Sequence, residues 1–385
     1  MFPRRLELPP RSFLLFGPRG TGKTTWLRSK LPAAEWFDLV RDAELVALLR
    51  DPEQFRRRVE ASRPGGWVVV DEVQRLPALL GDVQDLIARH PKRWRFALTG
   101  SSARRLRRGG ANLLPARLVN RRFFPLTASE LGRLPSVDEL LKHGCLPSVR
   151  AAGSAVERVE LLEAYAENYL AQEIRIEAAV KSLDSFSRFL SIAALANAQV
   201  TNVSAIARDA AVARPTVQGY FETLVDTLLG VWLPAWRPRA KIKEVAHPKF
   251  YLFDTGVVRA LAGRLREPLE REERGHLLET YVLHELRAFV EHAGIGGELA
   301  YWRTPSGTEV DFVWQRASKR VAIEAKATER WQSRHGAGLR QLASSATVRR
   351  AFAVYLGTHA LKDDAVDVLP LQQFLDRLRK GKILG

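Results

Sequence analysis

The sequence is very poor in cysteine, since Cys145 is the only one in 385 residues. A single cysteine excludes an internal disulfide framework, and the cysteine and histidine positions have no zinc-site spacing. The sequence also lacks any run approaching the ~20 apolar residues that cross a bilayer, and its start lacks the pattern of a secretory signal peptide. We therefore expect a soluble protein of the reducing cytoplasm, without a membrane partner.

Acidic residues are scarce relative to basic ones, because 43 Asp and Glu oppose 60 Lys and Arg and leave a net charge of +17. Residues 1–140 carry +11 of this charge, and residues 89–108 contain eight basic side chains and no acidic one. Such a positive field suits a polyphosphate chain and predicts DNA as a partner. An arginine-rich composition that makes the whole surface basic is the alternative interpretation.

The most specific motif is Gly-Pro-Arg-Gly-Thr-Gly-Lys-Thr at residues 17–24, which fits G-x-x-x-x-G-K-[ST] and follows the apolar run Phe13–Phe16. The glycines allow a tight loop whose N–H groups surround an anion, the lysine adds charge at the β and γ phosphates, and the threonine hydroxyl binds Mg²⁺. The motif predicts ATP and Mg²⁺ as cofactors. We expect nine residues to bind the nucleotide: Gly17, Pro18, Arg19, Gly20, Thr21, Gly22, Lys23, Thr24 and Thr25.

Polar residues follow two further apolar strands. Asp71 and Glu72 end the run Trp67–Val70, so Asp71 is predicted to hold Mg²⁺ through water and Glu72 to polarise the attacking water. The run from Trp94 to Thr99 ends in Gly100, Ser101 and Ser102. Ser101, and Ser102 as second choice, are predicted to sense the γ-phosphate or orient water; a plain strand-to-loop turn is the alternative.

Together these segments resemble the AAA+-type ATPases of bacteria and archaea whose sensor strand carries T-G-S-S. The resemblance implies a charge-stabilising arginine in a G-R-hydrophobic segment before a strand. The matching segment here is Ala116-Arg117-Leu118, with alanine in place of the glycine. Arg117 is therefore the candidate, and Arg121 and Arg122 are its alternatives.

The middle of the chain predicts helices, first over residues 136–185 and then in a tri-helical pattern from Phe186. Proline at position 215 near a helix start favours a helix-turn-helix, and the basic residues after Gly230 favour a wing. An interdomain packing module is the alternative to DNA binding. The predicted DNA contacts are Arg214, Thr216 and Gln218 in the helix and Arg237, Arg239, Lys241 and Lys243 in the wing, which also includes Lys249.

The C-terminal part contains carboxylates on two predicted strands, residues 308–314 and 320–326. Strand alternation predicts Glu309, Asp311 and Val313 on one face, and Glu324 with Lys326 on one face of the neighbouring strand. Asp311 and Glu324 would then converge on one metal ion, beside Lys326. Asp254, at the end of an earlier strand, is predicted to cap a helix.

This D-x12-E-x-K arrangement resembles the restriction-endonuclease-like superfamily. The resemblance implies Mg²⁺ bound by Asp311 and Glu324, Lys326 stabilising the nucleophile or the transition state, Glu279 as the helix-borne acid and Gln341 as a possible later polar member. Two alternatives stay open: a solvated charged face, and a nuclease-like fold that binds DNA or a partner without cutting it.

The order of these segments resembles a prokaryotic family of AAA+-type ATPases with a winged helix and a restriction-endonuclease-like C-terminal domain. We expect an α/β protein with a P-loop parallel sheet (1–135), a helical connector (136–185), a winged helix-turn-helix (186–250) and an α/β nuclease-like domain (251–385). The predicted function is Mg²⁺-dependent ATP hydrolysis on DNA, in a possible homo-oligomer. A nucleotide-dependent signalling or assembly switch with an inactive C-terminal module is the rival.

Overall fold

The computed structural model of the chain describes residues 2–102, 118–176, 182–237, 247–344 and 348–384, without the side chains of residues 168–176. The chain divides into two compact units. The first unit is Met1–Leu126 with Thr223–Leu229, and the second is Thr127–Glu222 with Gly230–Gly385. In the part of the chain that is described, no helix is both long and apolar enough to span a membrane.

The first unit alternates strands and helices. Its elements are β1 (Phe13–Phe16), α1 (Lys23–Lys30), β2 (Glu35–Asp38), α2 (Asp42–Arg50), α3 (Glu53–Ala61), β3 (Trp67–Asp71), α4 (Leu79–Arg89), β4 (Arg95–Gly100) and β5 (Val119–Arg122).

These strands form a parallel sheet in the order β2-β3-β4-β1-β5, which confirms the predicted parallel sheet. Alternate residues of each strand enter two different cores, as a two-residue period requires. Leu14 and Val70 pack with residues of α2, α3 and α4 on one face, whereas Leu15 and Val69 pack with residues of α1 on the other. Burial on both faces explains why these strands are continuous apolar runs.

The register of this sheet brings three strand ends together. Phe16 of β1 pairs with Gly100 of β4, and Val70 of β3 pairs with Leu98 of β4. Because the strands are parallel, the residues that follow their carboxyl ends meet at one edge.

The second unit begins with helices and continues as a mixed sheet. Its elements are α5 (Val137–His143), α6 (Pro147–Ala151), α7 (Ala155–Ile176), α8 (Leu183–Leu195), α9 (Val203–Asp209), α10 (Arg214–Asp226, whose last turn belongs to the first unit), β6 (Gly230–Leu233), β7 (Lys249–Leu252), α11 (Thr255–Leu261), α12 (Arg271–His292), β8 (Glu298–Arg303), β9 (Glu309–Arg316), β10 (Lys319–Lys326), α13 (Ala337–Ser344), β11 (Arg350–Tyr355), β12 (Leu361–Asp363), β13 (Val366–Pro370) and α14 (Leu371–Arg379).

An aromatic cluster joins α8, α10 and the antiparallel pair β6 and β7. Its rings lie 4.7–5.6 Å apart in successive pairs. Such contacts fix the helices against the two strands. The assignment of these elements as a winged helix stays a prediction. The cluster consists of Phe186, Phe189, Tyr220, Phe221, Trp232 and Phe250.

The prediction for Asp254 is confirmed, because it is the N-cap of α11 and its Oδ1 accepts a 3.1 Å hydrogen bond from the Val257 amide. A carboxylate at this position satisfies one of the free N–H groups at the start of a helix.

The larger sheet of the second unit has the order β12-β13-β11-β10-β9-β8. β9 and β10 are antiparallel neighbours, as predicted, but β9 is irregular against β8. Ala300 pairs with Val313 and Trp302 pairs with Val310, so two steps along β8 match three along β9. This β-bulge puts Val310 and Val313 in the same core cluster. The expectation that Val313 shares a face with Glu309 is therefore wrong.

Candidate functional site

The predicted phosphate-binding loop lies between β1 and α1. Gly20 and Gly22 have φ angles of 78° and 90°, which side chains with a Cβ rarely adopt. α1 begins at Lys23, so the free N–H groups of its first turn belong to this loop. A helix N-terminus with such a loop favours an anion.

Lys23 is buried at the centre of the loop. Its Nζ donates hydrogen bonds to the carbonyl oxygens of Gly17, at 2.7 Å, and Pro18, at 3.2 Å. It also lies 3.8 Å from Glu72 Oε1. The ammonium group therefore links the loop to the end of β3.

Thr99 connects the ends of β3 and β4 through one buried hydroxyl. Its Oγ1 donates to Asp71 Oδ1 at 2.6 Å and accepts from the Glu72 amide at 2.8 Å. Thr24 donates to the other carboxylate oxygen, Asp71 Oδ2, at 2.8 Å. Asp71 is thus oriented by one hydroxyl from the loop and one from the sensor strand.

Glu72 follows β3 in a left-handed conformation, with φ 57°. Its Oε2 accepts hydrogen bonds from Ser101 Oγ, at 2.8 Å, and from Gln74 Nε2. Burial by itself raises the pKa of Glu72, but the Lys23 charge and these hydrogen bonds outweigh it, so the pKa is lowered. The carboxyl group is therefore ionised near neutral pH.

The oxygen atoms at the end of β3 fit a hard divalent cation. Thr24 Oγ1 and Asp71 Oδ2 lie 2.8 Å apart, and burial raises the pKa of Asp71. Mg²⁺ is commonly bound by one carboxylate, a hydroxyl and the phosphates of a nucleotide. Thr24 and Asp71 would hold it here.

Three residues of this network carried no sequence prediction. Thr99 and Gln74 lie next to predicted residues, and a polar residue at a strand end was their only signal. Arg4 donates to the carbonyl oxygens of Thr21, at 2.7 Å, and Phe124, at 2.6 Å. No local pattern could reveal Arg4, since it lies 17 and 120 residues from these partners.

Of the remaining predicted residues of the first unit, some lie next to the network and others lie on β5 or are exposed. Ser101 lies against Glu72, and Ser102 is buried beside it in sequence. Arg121 and Arg122 belong to β5, where the Arg121 guanidinium donates to its neighbour's carbonyl oxygen. Arg19 and Thr25 are exposed. Arg117 lies outside the described residues.

In the second unit, the predicted carboxylates meet where β9 and β10 pair. The Asp311 amide donates to Glu324 Oε2 at 3.1 Å, and the Ala325 amide donates to Asp311 Oδ2 at 2.8 Å. Lys326 forms an ion pair with the other oxygen of Glu324. Each carboxylate is therefore fixed by the backbone of the opposite strand.

Lys249 of β7 joins this cluster, which corrects its assignment to a basic wing. The side chain is only 4% exposed, and its Nζ lies 2.5 Å from Glu309 Oε1, 3.2 Å from Glu279 Oε2 and 3.9 Å from Asp311 Oδ1. Tyr251, two residues further along β7, donates to Glu279 Oε2 at 3.1 Å. We define the carboxylate cluster as Glu279, Glu309, Asp311 and Glu324 with Lys249 and Lys326.

Burial and like charge raise the pKa of two carboxyl groups in the carboxylate cluster. Desolvation, followed by the charge of Asp311, raises the pKa values of Glu279 and Glu324. Burial alone lowers the pKa of Lys249, but the charges of Glu279, Asp311 and Glu309 overcome this and raise it. Both lysines stay charged, since the pKa of Lys326 is also raised.

As its side chains lie, the carboxylate cluster does not fit the predicted metal ion. Asp311 and Glu324 each use one oxygen for a backbone N–H and have a lysine near the other. Among the residues that the structure describes, no group of three or more His, Cys, Asp and Glu side chains could hold a metal ion. Gln341 is exposed on α13 and makes no contact with the cluster among those described.

A cavity of about 440 Å³ opens beside the carboxylate cluster. Residues of α12, among them His276 and Glu279, line one side, and Lys326, Thr328 and His335 line the other. The cavity gives solvent and small ligands access to Lys326 and Glu279.

The predicted DNA-contacting residues of α10 are exposed. Arg214, Thr216 and Gln218 face solvent, whereas Val217 of the same helix is buried. Arg237, after β6, is also exposed. Arg239, Lys241 and Lys243 lie outside the described residues.

Family models cover three segments of the chain. Residues 10–132 match the family described as AAA domain. Most of the first unit is therefore similar to that family. This confirms the resemblance to P-loop ATPases at the level of the N-terminal domain. Residues 134–267 and 274–374 match two families described as domains of unknown function, DUF8612 and DUF4143.

Similar proteins include two uncharacterized proteins, one of Mycobacterium tuberculosis and one of Mycobacterium bovis. Each is 28% identical over an alignment of 373 residues that covers 94% of this chain and 80% of the relative. The similarity therefore extends over nearly the whole chain, well beyond residues 10–132.

Two solved structures show weaker similarity. The Orc1 protein of Aeropyrum pernix, in complex with DNA, has a TM-score of 0.31 at 17% identity and covers 66% of this chain and 87% of its own. Protein VC1899 of Vibrio cholerae has a TM-score of 0.21 at 9% identity and covers 96% of both chains. At these TM-scores neither similarity supports an inference about fold or function.

Proposed function

We propose that the first unit is an Mg²⁺-dependent ATPase. The observation that carries the proposal is the hydrogen-bonded network of Lys23, Thr24, Asp71, Thr99 and Glu72 at the carboxyl ends of β1, β3 and β4. The AAA domain match of residues 10–132 supports it. In this proposal Lys23 binds the phosphates, Thr24 and Asp71 hold the cation, and Glu72 is the general base.

Each residue of the network has a defined task in this mechanism. Lys23 exchanges its bonds to the loop carbonyls for bonds to the β and γ phosphates. Glu72 accepts a proton from the attacking water, and Ser101 holds its carboxylate in place. When bound by Thr24 and Asp71, Mg²⁺ offsets the charge that develops on the phosphoryl oxygens.

An arginine is expected to stabilise the transferred phosphoryl group. Arg117 is retained from the sequence as the candidate, with Arg121 and Arg122 of β5 as alternatives. A positive charge at the γ-phosphate lowers the barrier in other P-loop ATPases.

Substitutions of Lys23 and Glu72 should separate nucleotide binding from hydrolysis. We expect Lys23→Ala to lose nucleotide binding, because the phosphate charges lose their cation. Glu72→Gln should keep binding and lose at least about 99% of turnover, since general-base catalysis contributes roughly 10²–10⁴-fold. Binding is measured with a fluorescent ATP analogue and turnover by phosphate release.

The matched control is Glu60→Gln, an exposed change of the same kind on α3. It should leave both quantities at the wild-type level. Hydrolysis at the wild-type rate by Glu72→Gln would assign the base to another residue.

We also propose that the protein acts on DNA. The net charge of +17 and the exposed residues Arg214, Thr216, Gln218 and Arg237 support this. Phosphate contacts by lysine and arginine give duplex binding that weakens steeply with salt. Arg239, Lys241 and Lys243 follow Arg237 in the sequence and add three basic side chains.

DNA affinity should depend on two exposed arginines, Arg214 and Arg237. We expect Arg214→Ala with Arg237→Ala to weaken binding to every duplex sequence and to reduce the slope of log affinity against log salt by roughly 0.9 per lost phosphate contact. Fluorescence anisotropy over a salt series measures both quantities.

Arg316→Ala, an exposed arginine at the end of β9, is the control and should leave the slope unchanged. An unchanged slope in the double variant would place the DNA contacts elsewhere, with residues 89–108 as the first region to test.

A second candidate function is metal-dependent cleavage of phosphodiester bonds by the second unit. The observation that favours it is the convergence of Glu279, Asp311, Glu324 and Lys326 beside a cavity of about 440 Å³. The position of Lys249 among these carboxylates opposes it. Without cleavage, the rival function is a nucleotide-dependent switch whose second unit binds a partner.

If the second unit cleaves DNA, cleavage in Mg²⁺ or Mn²⁺ should be lost in both Asp311→Asn and Lys326→Ala. Single-stranded, duplex and branched DNAs are incubated with and without ATP, and products are resolved on gels. Lys319→Ala is the control and should cleave like the wild type, because Lys319 is exposed at the end of β10 away from Lys326.

Products that persist in both variants would come from a contaminating nuclease. The absence of products on every substrate would leave the switch as the function of the second unit. ATP hydrolysis should be the same in all of these variants.

The remaining proposals concern location and assembly. We propose a cytoplasmic protein, supported by the single cysteine, Cys145, which is buried and free. A homo-oligomer stays part of the proposal because many ATPases complete their site with an arginine from a neighbouring subunit or an activating partner.

A further inference from the structure

We propose that Lys249 takes the place of a divalent cation in the carboxylate cluster, so that the second unit does not hold the metal ion that cleavage would need. The inference is independent of ATP hydrolysis by the first unit. It contradicts the second candidate function.

The Lys249 ammonium group lies among carboxylates from two different elements. Lys249 Nζ lies within 3.9 Å of oxygen atoms from Glu279, Glu309 and Asp311, which come from α12 and β9. A cation that bridges carboxylates from two elements is what a metal ion would provide. Here the chain supplies that cation itself.

Lys249 is held in this position by its surroundings. It lies on β7, where its backbone pairs with Leu233 of β6, and its side chain is 4% exposed. The Tyr301 ring lies 5.6 Å from Nζ, and Tyr251 donates to Glu279 from the same face of β7. Moving the ammonium group away would leave a buried charge unpaired, which is strongly unfavourable.

At least one oxygen of each carboxylate in the cluster already has a hydrogen-bond or ion-pair partner. Asp311 Oδ2 and Glu324 Oε2 accept backbone hydrogen bonds, and Lys326 pairs with Glu324 Oε1. A divalent ion in the cluster would approach Lys249 to about 4 Å, where like charges repel strongly in a poorly solvated site. Lys249 in this position therefore weakens the binding of a metal ion by these carboxylates.

The inference predicts that removing Lys249 creates a metal site. Mn²⁺ binding to the nucleotide-free full chain is measured by the electron paramagnetic resonance signal of free Mn²⁺. We expect no binding in the wild type that depends on Asp311. Lys249→Met should bind one Mn²⁺ at least about a hundredfold more tightly than the wild type does, because the repulsion by the lysine is removed. Asp311→Asn added to Lys249→Met should abolish that site.

The control variant is Lys319→Met, which removes an exposed lysine at the end of β10 away from Lys326. It should bind Mn²⁺ like the wild type. In thermal unfolding, Mn²⁺ should raise the midpoint of Lys249→Met and leave that of Lys319→Met unchanged, since a ligand stabilises only the folded state that binds it.

Two results would overturn the inference. One is Mn²⁺ binding by the wild type that Asp311→Asn abolishes; this measurement needs no Lys249 variant and so decides even if Lys249→Met does not fold. The other is a folded Lys249→Met that gains no site. Loss of ATP hydrolysis in any Glu72 variant bears only on the first unit.

Discussion

The network at the nucleotide end of the first unit depends on one buried hydroxyl group. Thr99 Oγ1 uses its proton for Asp71 and its lone pair for the Glu72 amide, so a single side chain positions both the proposed cation ligand and the proposed general base. Both partners follow or end β3, whereas Thr99 belongs to β4. The parallel pairing of these strands is what lets one hydroxyl contact both. Without the Thr99 hydroxyl, the Asp71 carboxylate and the Glu72 amide would each lose a hydrogen bond.

The two units solve the problem of buried charge differently. In the first unit Asp71 is compensated by two hydroxyl groups and Glu72 by Lys23 at 3.8 Å, an arrangement that leaves the lysine and the carboxylates able to exchange partners with a nucleotide. In the second unit Lys249 is held among carboxylates on β7, which pairs with β6. The first arrangement is consistent with the proposed ATP hydrolysis, and the second with the proposed replacement of a metal ion by Lys249.

The sequence predicted what depends on neighbouring residues. The loop at residues 17–24 has its glycines and lysine within eight positions, and Asp71 and Glu72 directly end an apolar strand, so local spacing was sufficient. The place of Lys249 depends on ion pairs to residues 30 to 62 positions away, and the bulge at Asp311 depends on the pairing of β8 with β9. Alternation within a single strand contains neither kind of information.

The most direct measurement of the central claim is ATP hydrolysis by Thr99→Val and Thr99→Ser. Valine keeps the shape but removes the hydroxyl, whereas serine keeps the hydroxyl. The account predicts that Thr99→Val binds ATP and loses most Mg²⁺-dependent turnover, roughly 10²-fold or more because both the base and the cation ligand lose their orientation, while Thr99→Ser retains most of it. Wild-type turnover by Thr99→Val would contradict the account.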